Sequence, residues 1–357
     1  MKHAAVLFLL LALNAVNAGD VDTFLKLCAD KHAAASTSSQ MVVPGMEGWL
    51  FFSGELRHLS AGKFWGEDAP KVSRAKPEFA DPLPALLDFK EQLEKAGVEL
   101  LFVPVPAKAA VYPEKLDPAA PSARIDIQHQ EFLKLLKERG IAVLDLSEAF
   151  RAARADDAAK GPVYCQQDTH WSGRGCELAA QRIAEYLRAR PWFKDLKKQT
   201  VESHSEKITL TGDLWRGAYE PGANGKPQLE PPATKETLPL RIVGVRTGGD
   251  LKPVEADERS PIALLGDSHC LVFSIGGDDM HAAGAGLPDQ LLLETGVSVD
   301  LVAVRGSGAT PSRLNFARKA RADAAYLPSK KIVIYCLTVR EFTEGSGWRK
   351  IPLLPQK

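Results

Sequence analysis

Short apolar runs, separated by segments of helical periodicity, narrow the possible folds of this chain more than any other feature. Val98 to Val103, Ile141 to Leu146, Ile262 to Leu265, Val299 to Val304 and Lys331 to Leu337 read as strands with little polar alternation. Between them, Leu86 to Ala96, Ile125 to Arg139, Ser172 to Arg188 and Ser312 to Ala325 repeat apolar residues every three or four positions. A strand that is apolar throughout is covered on both faces, and strands joined by helices run parallel. The pattern predicts an α/β three-layer sandwich with a mainly parallel sheet. From Pro191 to Ser260 the rhythm gives way to polar, Pro/Gly-containing sequence with short alternating pieces such as Lys207-Ile208-Thr209-Leu210. That stretch, 191–260, predicts a β-rich insertion or a lid.

The N-terminus speaks to compartment. Met1-Lys2-His3 is followed by an apolar run from Ala4 to Val16 and by Val16-Asn17-Ala18 ahead of Gly19. This is the order of a cleaved secretory signal, predicted over 1–18, and the run is shorter than the roughly 20 residues that span a bilayer. Residues 19–44 are expected to form a short helix from Val21 to His32 and a small, polar linker from Ala33 to Gln40. Residues 45–357 are expected to form the main domain. The cysteines Cys28, Cys165, Cys176, Cys270 and Cys336 are five in number. An oxidising compartment permits disulfides, an odd count leaves a free thiol, and Cys336 in its apolar run reads as a small buried hydrophobe. Lys and Arg number 45 against 45 Asp and Glu, so no general basic excess exists to neutralise a nucleic-acid backbone.

Chemistry is concentrated in two places. Ile262-Ala263-Leu264-Leu265 runs directly into Gly266-Asp267-Ser268-His269. In open α/β sheets, functional groups sit beyond the carboxyl ends of the strands. Ser268 there can project its hydroxyl into a crevice and aim its own N–H at the same point as an oxyanion donor; the alternative is a serine capping a following helix. A serine hydroxyl needs a base, and the base an orienting carboxylate. Among eight histidines, His170 in Tyr164-Cys165-Gln166-Gln167-Asp168-Thr169-His170-Trp171 has a carboxylate two residues earlier and a helix just after it. Asp168 can take one imidazole nitrogen and leave the other for Ser268, with Trp171 walling the ring. Helix capping by Asp168-Thr169 is the competing account. His32, His129 and His204 read as surface residues, His58 and His281 are ambiguous, and His269 is expected to be structural. No Cys/His spacing suggests a metal site, and no phosphate loop or dinucleotide fingerprint is present.

Gly266-Asp267-Ser268 together with Asp168-Thr169-His170-Trp171 resembles the SGNH hydrolase-like alginate O-acetyltransferase family of AlgX and AlgJ type. In that family the Asp-His block precedes the serine block, a permuted motif order, as it does here. Further segments share the likeness: Glu47-Gly48-Trp49-Leu50-Phe51-Phe52, Glu55-Leu56-Arg57-His58, Val103-Pro104-Val105-Pro106-Ala107-Lys108 to Tyr112-Pro113, and Val304-Arg305-Gly306-Ser307-Gly308. The resemblance runs from about Gly45 to the C-terminus and is weakest over Pro191 to Ser260.

The resemblance implies that Ser268 is an acetyl-carrying nucleophile, His170 its general base and acid, and Asp168 the orienter of His170. It implies an oxyanion hole from the Ser268 N–H and the Gly306 N–H, with Gly308 as the neighbouring option. The family's asparagine donor has no counterpart, and Arg340 in Leu337-Thr338-Val339-Arg340-Glu341-Phe342 is the candidate replacement or a contact for an anionic sugar. Glu341 is then its expected holder; a purely structural Arg340–Glu341 pair is the alternative. Arg57, His58, Lys108, Arg174 and Arg305 are candidates for a cationic substrate rim, with Trp65 or Tyr112 as stacking platforms. The implied function is an exported, periplasmic serine-dependent O-acetyltransferase on an alginate-like exopolysaccharide, without cofactor or metal. Its implied partners are the polysaccharide acceptor, a membrane-bound O-acyltransferase supplying acetyl groups, and other polysaccharide export proteins. An acetyl esterase using the same triad and a non-catalytic polysaccharide-binding scaffold are the alternatives.

Overall fold

In the computed structural model, residues 20–221, 227, 229–230 and 234–353 are described. The expected signal segment, 1–18, lies outside them. Among the described residues ten strands occur: β1 Val42–Pro44, β2 Leu50–Phe52, β3 Glu99–Val105, β4 Ala142–Val143, β5 Glu202–Thr209, β6 Thr237–Thr247, β7 Asp250–Lys252, β8 Ile262–Gly266, β9 Asp300–Ala303 and β10 Ile332–Thr338. Five make the central sheet in the order β4-β3-β10-β8-β9, and every pairing in it is parallel. β8 and β10 are buried at every position because both faces are covered. This is the α/β layering read from the apolar runs. The run from Ile141 to Leu146 yields only the two-residue edge strand β4, since past Val143 the chain turns into the Ser147–Ala153 helix.

The helix Gly173–Arg188 shows how a covering layer forms. Cys176, Ala179, Ala180, Ile183, Ala184 and Leu187 recur at helical spacing and are all buried. Three alanines on that stripe allow close approach to the Leu287–Thr295 helix. Ser172 caps it, its hydroxyl accepting from the Gly175 amide at 3.3 Å. The sheet β5-β6-β7 is antiparallel and arises from 202–252. Leu238 and Leu240 of β6 alternate inward, placing that strand against the Gly173–Arg188 helix.

One expectation is corrected here. The first helix extends from Val21 to Thr37, so the predicted linker is helical at its start; Ala33, Ala34 and Ala35 are strong helix formers. All five cysteines are buried and free, packed as small apolar groups, and none forms a disulfide. No helix among the described residues is long and apolar enough to cross a membrane.

Candidate active site

The parallel strands carry their polar side chains to one end of the sheet. Ser268 follows β8, Gly306 follows β9, Arg340 follows β10 and Lys108 follows β3. The strand-to-serine turn depends on Gly266, but through close approach rather than an unusual φ. A Cβ there would lie 1.9 Å from the Cys336 carbonyl oxygen of neighbouring β10. Asp267 then braces the turn. Its Oδ1 accepts from the His269 amide at 2.9 Å and from His269 Nδ1 at 3.1 Å, and its Oδ2 accepts from the Thr338 amide at 2.7 Å. Burial would raise its pKa, but the His269 contacts, Arg340 and the Thr338 amide outweigh burial and hold it at about 2.

The loop 165–170 meets this turn, bracketed by an antiparallel bridge between Tyr164 and Trp171. The Ser268 hydroxyl donates to His170 Nε2 at 2.7 Å, and His170 Nδ1–H donates to Asp168 Oδ1 at 2.6 Å. Asp168 also accepts from the His170 amide at 2.9 Å and from the Asp213 amide at 2.8 Å. Burial acts to raise the Asp168 pKa, yet the His170 imidazole and hydrogen bonds from His170 and His281 keep it well below the usual carboxylate range. For His170, burial favours the neutral ring, but the Asp168 carboxylate prevails and raises the pKa above 6.5. Chemically, this is a hydroxyl hydrogen-bonded to a base whose other nitrogen faces a fixed negative charge, an arrangement suited to nucleophilic acyl chemistry.

Lys108 holds the loop from beneath. Its buried ammonium donates to the carbonyls of Leu50 at 2.7 Å, Gln166 at 2.9 Å and Asp168 at 3.1 Å. From the other side, Glu236 accepts from the Gln166 amide at 2.7 Å and the Gln167 amide at 3.0 Å. Lys108 is therefore no part of an exposed rim; desolvation lowers its pKa, and backbone oxygens accept its N–H groups.

Most of the other rim candidates are also corrected. Tyr112 is buried, donating to Asp157 at 2.8 Å and accepting from the Val163 amide at 2.9 Å. His58 is buried with His129, their Nε2 atoms 2.6 Å apart, and its Nδ1 lies 2.8 Å from Thr343 Oγ1. His129 is thus no surface residue either. Arg57 is drawn to Glu344 and the Val72 carbonyl, Arg174 reaches Asp157 at 2.8 Å, and Trp65 is buried. Arg305 is exposed, 3.1 Å from Asp279. His204 lies on the surface as expected. Trp171 packs edge-on against His269, with ring centroids 5.4 Å apart, rather than walling His170.

Gly306 and Arg340 line one pocket of about 370 Å³ with Met41, Phe52, Thr169 and Asp213. Gly306 has φ +84°, a left-handed conformation that glycine adopts without strain, and a Cβ there would meet nothing. Arg340 is not held by Glu341. Its Nη1 lies 3.7 Å from Glu55 and has no hydrogen-bond partner among the described residues, and its guanidinium sits over the Phe52 ring. Glu341 instead accepts from Ser307 Oγ at 2.8 Å and the Ala309 amide at 3.1 Å, fastening the glycine loop. Burial and the Asp267 charge raise its pKa to about 7.

The sequence leaves His281 ambiguous and gives Asp213 no role, yet both belong to this site. Asp213 accepts from the Thr169 amide at 2.7 Å and from Thr169 Oγ1 at 2.5 Å. His281 Nε2–H donates to Asp168 Oδ2 at 3.0 Å. Only their distance in sequence hid them, since nothing local marks either. Ligand-type atoms of Asp168, His170 and Asp213 lie within 4.8 Å of one another. All three are already engaged in the hydrogen bonds described.

The buried imidazoles give this region a pH signature. Burial lowers the pKa of His129 and of His269 from 6.5 to about 4. Their unfolded forms bind protons first, so the stability they contribute is complete above pH 6.5 and is lost as pH falls toward 4. Each contributes up to about 3 kcal/mol. Asp289 and Glu341, raised to about 7, act in the opposite sense. The comparison that isolates one term is native protein against His129→Gln. The native advantage in urea unfolding should shrink steadily from about pH 7 to 4.5; a pH-independent difference would remove His129 from this account.

The family described as "SGNH hydrolase-like domain, acetyltransferase AlgX" matches residues 42–331. The probable alginate O-acetylase AlgJ of Pseudomonas aeruginosa is 30% identical over 173 residues, covering 48% of this chain and 40% of that protein. AlgX of the same organism, an alginate biosynthesis protein, is 28% identical over 118 residues, covering 32% of this chain and 24% of its own. The chain spans about half the length, or less, of the curated relatives it matches. Among solved structures, the O-acetyltransferase domain of Pseudomonas putida AlgJ superposes with TM-score 0.59 at 22% identity, covering 85% of this chain and 92% of that one. Pseudomonas aeruginosa AlgX gives 0.60 at 18%, covering 94% and 70%. These two likenesses establish a shared fold. With the permuted motif order, the parallel sheet and the family match over 42–331, the chain belongs to the SGNH hydrolase-like acetyltransferase family of AlgX and AlgJ.

Proposed function

We propose that the protein is an exported O-acetyltransferase that acetylates hydroxyls of an alginate-like exopolysaccharide through an acetyl-Ser268 intermediate. The observation that carries this reading is the continuous hydrogen-bond line from Ser268 Oγ through His170 to Asp168. Ser268 Oγ attacks the acetyl carbonyl carbon of an ester donor while its proton passes to His170 Nε2. The tetrahedral oxyanion is met by the Ser268 N–H, the Gly306 N–H and the Arg340 guanidinium. The leaving alcohol takes the proton from His170. A sugar hydroxyl then gives its proton to His170 and attacks the acetyl carbonyl carbon, and His170 returns the proton to Ser268 Oγ as the bond from Oγ to the acetyl group breaks. The signal-like N-terminus supports export to the periplasm. A membrane-bound O-acyltransferase supplying acetyl groups and other polysaccharide export proteins complete the proposed setting.

Incubation with a chromogenic acetyl ester, with and without uronate oligosaccharides, tests this reading. Acetyl esters appearing on the oligosaccharide support transfer. Acetate release unaffected by the acceptor makes the protein an esterase, and no turnover leaves a polysaccharide-binding scaffold.

Arg340 is the third oxyanion donor in this reading. Its removal should lower kcat by about 10²–10³-fold, as loss of one such donor does elsewhere. Since Glu55 would lose its main counter-charge and keep only that of Lys108, Arg340→Met is best made in a Glu55→Gln background. Turnover close to that of Glu55→Gln alone would make Arg340 structural.

A further inference from the structure

His281 lies 113 residues from Asp168 in sequence, yet its Nε2–H reaches the Asp168 oxygen that His170 leaves free, at 3.0 Å. The side chain is only 4% exposed, and its ring packs on Phe273 with centroids 5.6 Å apart. The residue has φ +67°, unusual outside glycine, so the loop holds this ring in place at some conformational cost. The loop is closed at its base by a bridge between Ile275 and Ala283 and turns through Gly276 and Gly277. Its tip is held from two sides. Asp279 takes Arg216 at 2.9 Å and Arg305 at 3.1 Å, and Arg216 also donates to the Asp278 carbonyl at 2.8 Å. Arg216 belongs to the Asp213–Tyr219 helix, and Arg305 directly precedes Gly306. One loop therefore spans the carboxylate, the helix that carries Asp213, and the glycine loop.

We propose that His281 is a positioning residue that acts through Asp168, fixing the carboxylate plane so that Oδ1 points at His170 Nδ1. This role rests on the reading of Asp168, His170 and Ser268 as one relay. Without His281, Asp168 Oδ2 keeps only the Asp213 amide as donor, so the plane is held less firmly on that side while Oδ1 keeps the His170 amide and Nδ1–H. The carboxylate also holds more of its charge, so it binds the imidazolium more tightly and His170 becomes a weaker donor to the leaving alcohol. The titratable and charged groups facing the pair are His170, Asp213, Lys108, Glu236, Arg340 and His269, with Asp279, Arg216 and Arg305 at the loop tip.

The test compares His281→Ala with His281→Gln, whose amide nitrogen can reach the same oxygen. With the chromogenic acetyl ester, His281→Ala should lose about tenfold in kcat, as expected for one charge-assisted hydrogen bond. KM should stay within about twofold, and the acid limb of the pH profile should move upward. His281→Gln should recover most of kcat and return the limb. Unchanged kcat and pH profile in His281→Ala overturn the proposal. So does an equal loss in both variants with a lower Tm and an unmoved acid limb, which assigns His281 to loop packing. NMR titration of His170 in the intact protein keeps the question separate from the acetyl reading. An inactive native enzyme defeats that reading. The His170 pKa, rising in His281→Ala or staying fixed, still decides the role of His281.

Discussion

Ser268→Ala is expected to lower turnover of an acetyl ester by at least about 10⁴-fold while leaving the fold intact. The magnitude follows from the unit formed by hydroxyl, imidazole and carboxylate, because removing the nucleophile of such a unit costs nearly as much as removing all of it. The stability forecast follows from local packing. The alanine forfeits one hydrogen bond, to His170 Nε2, while the turn stays braced by Asp267 on His269 and Thr338. Unfolding free energy should change by about 1 kcal/mol or less. Kinetics and urea unfolding on the same preparations check both halves. Residual turnover within tenfold of native would move the nucleophile elsewhere, and a large stability loss would make Ser268 architectural.

The largest effect on stability is expected at Lys108. Lys108→Met keeps the stem between Trp49 and Phe51 but removes the donors to three carbonyls. Two of those carbonyls, of Gln166 and Asp168, belong to the loop that presents His170. Stranding buried polar atoms costs about 1–3 kcal/mol each, so a loss of about 3–5 kcal/mol is expected after relaxation. Because Asp168 loses its tether, kcat should also fall at temperatures where the variant remains folded. Equal unfolding free energies for Lys108→Met and native protein would show that the ammonium does not hold the loop.

Lys108 also shows what a sequence conceals. A lysine among apolar residues, in the resemblance Val103 to Lys108, reads as a charge at a rim because lysines are rarely fully buried. Its actual partners are carbonyls supplied from β2 and from the loop near residue 167, groups that every residue carries and no motif marks. Ser268, Asp168 and His170 were legible for the opposite reason: a strand, a glycine and a hydroxyl in succession, and a carboxylate two residues before an imidazole, are local patterns. The layered α/β architecture was legible through β8 and β10, whose uninterrupted apolar runs require cover on both faces. His281, His129 and Asp213 were not, since each takes its meaning from a partner brought close only by tertiary packing. Arg340 has a glutamate as its next neighbour in sequence, which suggests a local pair. Glu55, 285 positions earlier and placed by a different element, stands there instead. Buried cysteines followed their apolar neighbourhoods in the structure, whatever the compartment permits.

The central claim is that the Ser268 oxygen becomes covalently acetylated. Native protein mixed with a chromogenic acetyl ester, quenched in acid during the first turnovers and digested, is read by peptide mass spectrometry. The account predicts one added acetyl group on the peptide carrying Ser268, absent in Ser268→Ala and diminished when a sugar acceptor is present. Acetate release without that mass, or an equally labelled Ser268→Ala protein, would contradict it.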